Sequence, residues 1–203
     1  MAHTSTRRMA TPGEAELRTR RLDEPHVRPL TDYVRRLVAE RPEREIPWVD
    51  PESGGVGAHV LLLARSPAPG AVGSNGSGFI SLDNDEAGAE TLLMATEEAG
   101  MERAELVLWN VVPWALGNRK PTAQELEEAR PFLRRFVSLL DRPRAVVLLG
   151  DVAERAWDRA RIDIPARRAV FTAPSASPPG INRPGARDQL LEALRAAWRM
   201  AAG

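Results

Sequence analysis

The stretch LVLWNVVPWALGNRKP, residues 106–121, joins an apolar run to a polar and basic loop. The run at 106–109 is typical of a buried strand, and it ends at Asn110. An asparagine at the carboxyl end of a buried parallel strand lies where α/β proteins bind their ligands. Its amide both donates and accepts hydrogen bonds, so it can recognise the edge of a base. Because Arg119 and Lys120 follow in the loop, this stretch indicates nucleic acid as the partner.

The composition excludes several classes of protein. The chain has 203 residues, 43% of them hydrophobic, which is enough for one sizeable α/β domain. It has no cysteine, which excludes disulfides, thiolate zinc sites, iron–sulfur clusters and a cysteine nucleophile. The formal net charge of zero argues against a protein that coats nucleic acid nonspecifically. Without a membrane-length apolar run or the apolar core of a signal peptide, we expect a cytoplasmic protein with no membrane partner, nucleoid-associated if bacterial.

The order of apolar and amphipathic segments predicts the organisation of the chain. Residues 1–28 are polar and charged, so we predict a flexible tail there and a single domain over 29–203. A short helix capped by Thr31 comes next, and the prolines and glycines of residues 46–58 predict an irregular loop. Strands are predicted at 59–64, 106–110, 145–149 and 169–172. Helices are predicted at about 86–99, 122–140, 151–160 and 185–201, and the second of these opens with a capping box, TAQE.

Apolar strands separated by helices predict an α/β fold, a three-layer α/β/α sandwich around a central, mostly parallel four-stranded sheet. In such a sheet the loops that leave the carboxyl ends of the strands converge on one edge. The segments predicted to meet there are 65–81, 110–120, 150–151 and 173–183. Any active site should be built from these loops.

Several common kinds of site are absent from the sequence. There is no GxxxxGK[ST] phosphate-binding loop. The glycine-rich residues 73–78 lie within a long loop rather than at a strand-to-helix turn, so they are no dinucleotide fingerprint. The histidines are His3 and His26 in the predicted tail and His59 at the start of a strand. A histidine general base or a histidine-ligated metal is therefore not expected.

Four segments together resemble the uracil-DNA glycosylase superfamily, over about residues 47–199, as a divergent member without cysteines. ARSPA at 64–68 resembles the first motif of that superfamily, and GSNGSGF at 73–79 resembles the loop that presents an aromatic ring to the base. NVVP at 110–113, with NRKP at 118–121, resembles the pyrimidine-reading asparagine and its loop. SASPPGINR at 175–183 occupies the place of the second motif, which is usually His-Pro-Ser-Pro.

The resemblance implies a DNA-repair enzyme that flips out uracil or a related deaminated base and cleaves its N-glycosidic bond, leaving an abasic site. The implied base-binding residues are Ser66, Pro67, Ala68, Phe79 and Asn110. The implied DNA-binding residues are Arg119, Lys120, Ser177, Asn182 and Arg183. We expect no cofactor and no metal, and a monomer whose partner is DNA with a damaged or deaminated base.

Two positions depart from the family pattern. The second-motif histidine, which stabilises the departing base in the family, is Ser175 here. A hydroxyl cannot carry a positive charge, so this change would cost roughly 10²-fold or more in rate. The first motif has Arg65 where another branch of the family has a glutamate. Asp83, just past Phe79, is therefore our candidate for positioning water, and Asp83 and Ser175 are the predicted catalytic residues.

Three functions stay open at this point. The first is a monofunctional glycosylase, and the second is a catalytically weakened member that binds DNA or a damaged base without cutting it. The third is a nucleotide-binding metabolic protein. The predicted residues also have structural alternatives. Asn110 could hold its own loop, Phe79 could anchor the core, and Asp83 could cap a helix.

Overall fold

The central sheet of the computed structural model, which describes residues 6–117, 119–141, 143–162 and 169–203, is flanked by helices on both faces. The helices are α1 (Glu14–Thr19), α2 (Arg28–Glu40), α3 (Ala87–Glu98), α4 (Ala123–Ser138), α5 (Asp151–Ala160) and α6 (Ala186–Ala202). The strands are β1 (Trp48–Val49), β2 (Val60–Ala64), β3 (Phe79–Ile80), β4 (Leu106–Asn110), β5 (Ala145–Leu149) and β6 (Ala169–Ala173). Within these described ranges, no helix is both long enough and apolar enough to cross a membrane.

The four longer strands pair in the order β4-β2-β5-β6, and every pair is parallel. The predicted four-stranded sheet is therefore confirmed. Ala64 at the end of β2 lies opposite Asn110 at the end of β4. This register brings the loops that follow the two strands to the same edge of the sheet.

Side chains of alternating direction divide the core into two layers, one on each face of the sheet. Leu61 and Leu63 of β2 belong to the core shared with α2, α4 and α5. Val60 and Leu62 of the same strand belong to the core shared with α3 and α6. The predicted three-layer α/β/α arrangement follows directly from this alternation and is confirmed.

Several helices and strands form where short sequence patterns predict them. The Thr122 hydroxyl accepts a hydrogen bond from the Glu125 N–H at 3.2 Å, and the Glu125 carboxylate accepts one from the Thr122 N–H at 2.8 Å. This reciprocal pair is the capping box expected at the start of α4. The other predicted helices and strands after residue 58 begin and end within a residue or two of the observed bounds.

Two local predictions are wrong. α2 begins at Arg28, so Thr31 lies inside the helix, where its hydroxyl donates to the Leu22 carbonyl at 2.7 Å. The segment predicted as an irregular loop contains β1, which pairs in parallel with β3. Both strands are two residues long, which is too short for a periodic pattern to reveal them.

The prediction of a flexible tail is wrong for the N-terminal segment, residues 6–28; residues 1–5 lie outside the described residues. Val27 is fully buried, and Arg18 is only 1% exposed. The Arg18 guanidinium donates to the carboxylates of Glu14, Asp50 and Asp83. The segment is therefore ordered by specific buried ion pairs in addition to apolar contacts.

Candidate active site

A cavity of about 510 Å³ lies at the carboxyl edge of the sheet. All four segments predicted to converge there contribute to its walls. The first turn of α3 also lines it, through Glu86, Gly88 and Ala89, and sequence reasoning did not include this turn. The cavity is within the range of volumes typical of small-ligand sites.

Asn110 lies in this cavity at the end of β4. It is 3% exposed, and its side-chain amide has no hydrogen-bond partner among the described residues. Backbone hydrogen bonds hold the residues that follow Asn110. The N–H groups of Val111 and Val112 donate to the carbonyls of Ala64 and Arg65 at 2.9 and 3.0 Å. In the described part of its loop, the Asn110 amide therefore holds no other residue in place.

The first-motif segment contributes Ser66, Pro67 and Ala68 to the cavity. The Ser66 hydroxyl is buried and has no hydrogen-bond partner in the part of the chain that the structure describes. The backbone N–H groups of Ser66 and Ala68 likewise find no acceptor among those residues. Pro67 has no N–H to offer. In the described part of the chain, this cavity-lining segment thus has one hydroxyl and two backbone N–H groups without hydrogen-bond partners.

The loop after β6 packs closely against its neighbours. A Cβ on Gly180 would lie 2.9 Å from the Cβ of Ser175, and one on Gly150 would lie 3.2 Å from it. A Cβ on Gly88 would lie 2.1 Å from the Ser177 hydroxyl, so this loop touches the first turn of α3. The Ser175 hydroxyl accepts a hydrogen bond from the Ser177 N–H at 3.3 Å. Ser175 and Ser177 both line the cavity, as the sequence predicts for the second motif.

Charged groups of both signs surround the opening. Arg65, Lys120 and Arg183 line the cavity. Lys120 lies 3.5 Å from Asp151, which also pairs with Arg155 at 2.9 Å. Burial alone would raise the pKa of Asp151, but the hydrogen bonds and positive charges of Arg155 and Lys120 together outweigh it and the pKa is lowered.

Phe79 does not line the cavity, so the prediction that it stacks on a base there is wrong. Its side chain is 1% exposed. Its strand neighbour Ile80 does line the cavity, and successive side chains of a strand point to opposite faces. Phe79 is therefore a core residue, and its carbonyl accepts a hydrogen bond from the Asn84 amide at 2.9 Å.

Asp83 is also misassigned by the sequence, because it does not reach the cavity. It is fully buried, and its carboxylate accepts hydrogen bonds from Arg18 at 2.5 Å and from Arg103 at 2.6 and 2.8 Å. Burial tends to raise its pKa, but the hydrogen bonds from Arg103 and Arg18 dominate and lower it. Asp83 is a structural ion-pair partner and not a group that positions water.

Two of the predicted DNA-binding residues lie outside the cavity walls. Arg119 is exposed and forms an ion pair with Glu125 at the start of α4. Asn182 is exposed in the loop after β6. Asn118, which belongs to the quoted NRKP motif, lies outside the described residues. DNA contact by Arg119 and Asn182 stays a prediction.

Sequence reasoning missed Glu86, the residue that precedes α3. Its carboxylate lines the cavity and accepts a hydrogen bond from the Gly70 N–H at 3.3 Å. Burial raises its pKa, and the bond from Gly70 offsets only part of this effect. The topology is the signal that could have found it, because a helix that follows a loop from the carboxyl edge begins near that edge.

The described residues contain no group of three or more His, Cys, Asp and Glu side chains that could hold a metal ion. The two described histidines lie away from the cavity. His59 pairs with Glu105, and His26 shares a hydrogen bond with the Pro51 carbonyl.

Comparison with known proteins bears on this geometry. No curated protein matches the sequence. The family model of the uracil DNA glycosylase superfamily, however, matches residues 51–200. This range contains the four-stranded sheet and every residue that lines the cavity. By its sequence and its fold, the chain belongs to the uracil DNA glycosylase superfamily and has the DNA-binding, glycosylase type of function found in base excision repair.

Proposed function

We propose that the protein is a monofunctional DNA N-glycosylase that excises uracil or a related deaminated base and leaves an abasic site. The observation that carries the proposal is a pair of polar side chains in the cavity that have no hydrogen-bond partner among the described residues, the Asn110 amide and the Ser66 hydroxyl. Buried polar groups normally find hydrogen-bond partners. A flipped base supplies such partners on its pairing edge.

The polar groups suit the two ends of a departing pyrimidine. The Asn110 amide can donate to O4 and accept from N3–H of uracil. The N–H groups of Ser66 and Ala68 can donate to the negative charge that develops on the base as its bond to the sugar breaks. A volume of about 510 Å³ leaves room for the sugar of the flipped nucleotide beside the base.

Cations at the opening support DNA as the substrate. Lys120 and Arg183 line the cavity and can neutralise the phosphates on either side of the flipped nucleotide. We assign the exposed Arg119, Ser177 and Asn182 to the same surface. We also propose that the protein acts as a monomer.

One observation favours a second candidate, a weakened member that binds damaged DNA without cutting it. Ser175 replaces the histidine of the second motif, and its hydroxyl already accepts a bond from the Ser177 N–H. It can donate one hydrogen bond to the departing base but cannot stabilise it with a full charge. Base recognition through Asn110 does not depend on this group.

Cleavage of defined oligonucleotides tests the proposal. The protein is incubated with DNA that contains a single uracil, hypoxanthine or xanthine, and alkali then converts abasic sites to strand breaks. We expect breaks with at least one of these bases. Breaks with none of them, together with measurable binding, would establish the binding-only candidate.

Asn110→Ala tests whether the Asn110 amide recognises the base. It removes both hydrogen bonds to the base, so we expect single-turnover cleavage to fall by about 10²-fold. Gln189→Ala, which removes an exposed side-chain amide on α6 outside the cavity walls, is the control and should cleave at the wild-type rate. Equal rates for the two variants would remove Asn110 from base recognition.

A further inference from the structure

The proposed cleavage calls for a negative charge in the cavity, and Asp83 does not reach the cavity. Breaking an N-glycosidic bond builds positive charge on the sugar ring, and a nearby carboxylate stabilises that charge and orients the attacking water. The described carboxylates that line the cavity are those of Glu86 and Asp151.

These two carboxylates differ in what surrounds them. Asp151 is exposed and paired with Arg155 at 2.9 Å and Lys120 at 3.5 Å, so cations already neutralise its charge. Glu86 is half-buried, and no cation among the described residues forms an ion pair with it. Among the described residues, its carboxylate accepts one hydrogen bond, from the Gly70 N–H at 3.3 Å. Glu86 thus brings to the cavity a negative charge that forms no ion pair with a described residue.

Two loops hold Glu86 in place. Its backbone N–H donates to the Asn84 carbonyl at 2.8 Å, and the Asn84 side chain is fixed by the Ser77 hydroxyl at 2.7 Å and the Phe79 carbonyl at 2.9 Å. From the other side, a Cβ on Gly70 would lie 3.2 Å from the Glu86 carboxylate. The loop after β2 and the turn before α3 therefore fix the carboxylate between them.

On these contacts we propose, resting on the glycosylase function above, that Glu86 is the catalytic carboxylate of this site. Its charge faces the positive charge that develops at C1′ of the sugar. Water attacks C1′ and forms the new C–O bond, the C–N bond breaks, and its electron pair leaves with the base nitrogen. The proton of the water passes to Glu86, and the departing base is later protonated from solvent. The raised pKa of Glu86 makes it a better proton acceptor than an ordinary carboxylate.

Binding of a charged substrate analogue tests this role without requiring cleavage. In one oligonucleotide a pyrrolidine ring replaces the sugar of the target nucleotide and puts a protonated nitrogen at the place of C1′. A second oligonucleotide carries the neutral tetrahydrofuran analogue. We expect wild-type protein to bind the cationic analogue about tenfold more tightly than the neutral one.

Glu86→Gln keeps the size of the side chain and removes its charge. We expect it to abolish the preference for the cationic analogue while binding the neutral one within about twofold of wild type. Glu97→Gln removes the same charge from an exposed position on α3 and should keep the preference. Asp151→Asn tests the competing carboxylate. The proposal would be overturned if only Asp151→Asn lost the preference for the cationic analogue. It would also be overturned if Glu86→Gln kept that preference.

Cleavage separates this inference from the proposed function. Glu86→Gln should slow single-turnover cleavage by about 10²-fold or more, and Glu86→Asp should recover part of the loss. If wild-type protein cleaves none of the deaminated bases, the proposed function fails. A preference for the cationic analogue that depends on Glu86 would then still show that this carboxylate faces the place of C1′.

Discussion

At the scale of single residues, Ser175 sets the chemistry available to the departing base. Glycines surround it, because added Cβ atoms on Gly150 and Gly180 would approach its Cβ to 3.2 and 2.9 Å. Because Ser175 lines the cavity, a longer side chain at this position can enter it. The Ser175 hydroxyl can donate one hydrogen bond to the departing base. A charged imidazole at the same position would stabilise the base more strongly.

Ser175→His should increase the rate of base excision. A protonated imidazole stabilises a developing anion by charge as well as by hydrogen bonding, so we expect single-turnover cleavage to rise by about tenfold or more. Ser175→Gln adds a side chain of similar length without a charge and serves as the control. Cleavage by Ser175→His no faster than by Ser175→Gln would show that charge at this position does not limit the rate.

Residues at strand ends were predictable, and residues within irregular loops were not. Asn110 ends one apolar strand and Ser66 closely follows another, and the parallel topology alone brings them to the edge where the cavity lies. Phe79 and Asp83 lie in a stretch where the side-chain direction depends on the pairing of β1 with β3. A shift of one residue exchanges the two faces of a strand, so the sequence could not decide which side chain meets the cavity.

At the scale of elements, the contact between α3 and the loop after β6 shapes one wall of the cavity. Gly88 in the first turn of α3 lies against Ser177, with no space for a side chain between them. Both residues line the cavity, so the distance between helix and loop affects its width. Neither element shows this contact in its own sequence, because it joins residues that are far apart in the chain.

Gly88→Ala should impair the site, although alanine favours a helix. An exposed glycine-to-alanine change in a helix gains up to about 1 kcal/mol, whereas here the new methyl would lie 2.1 Å from the Ser177 hydroxyl and push the loop away. We expect cleavage to fall by about tenfold from the displaced wall. The double variant Gly88→Ala, Ser177→Ala removes the clashing hydroxyl and should cleave about as fast as Ser177→Ala alone. If the second substitution does not restore cleavage, the contact with Ser177 is not the cause of the loss in Gly88→Ala.

Elements with a strong local signal were predicted well. The capping box of α4 and the apolar strands β2, β4 and β5 need only neighbouring residues to be recognised. β1 and β3 consist of two residues each and exist because the loops that carry them are brought side by side. Such pairing is a consequence of the fold and leaves no period in the sequence.

At the scale of the whole molecule, the N-terminal segment is connected to the cavity through buried charges. Arg18 binds Asp50 and Asp83 at 2.5 Å each. Asp50 in turn accepts a hydrogen bond at 2.5 Å from the hydroxyl of Ser81, which lines the cavity. A segment whose composition predicts disorder is therefore part of the support of the site. The prediction failed because it considers the apolar surface that a segment can bury and not the ion pairs it can form.

Removing Arg18 should destabilise the entire domain, and the effect should depend on pH. Arg18→Met leaves buried carboxylates without their partner, which costs about 3 kcal/mol or more in the free energy of unfolding at pH 7. Arg20→Met, an exposed arginine two residues away, is the control and should cost less than about 0.5 kcal/mol.

The pKa of Asp83 gives the direction of this pH dependence. Its pKa in the folded protein lies below its value in the unfolded chain, because the hydrogen bonds from Arg103 and Arg18 outweigh the effect of burial. The ion pairs therefore contribute their full stability above the unfolded pKa and lose it as the pH falls through the folded one. Urea unfolding of wild type, Arg18→Met and Arg20→Met at pH 7 and at successively lower pH measures this. We expect the gap between wild type and Arg18→Met to narrow as Asp83 becomes protonated. A gap that stays constant down to the pH of acid unfolding would mean that Arg18 stabilises the protein by packing and not by charge.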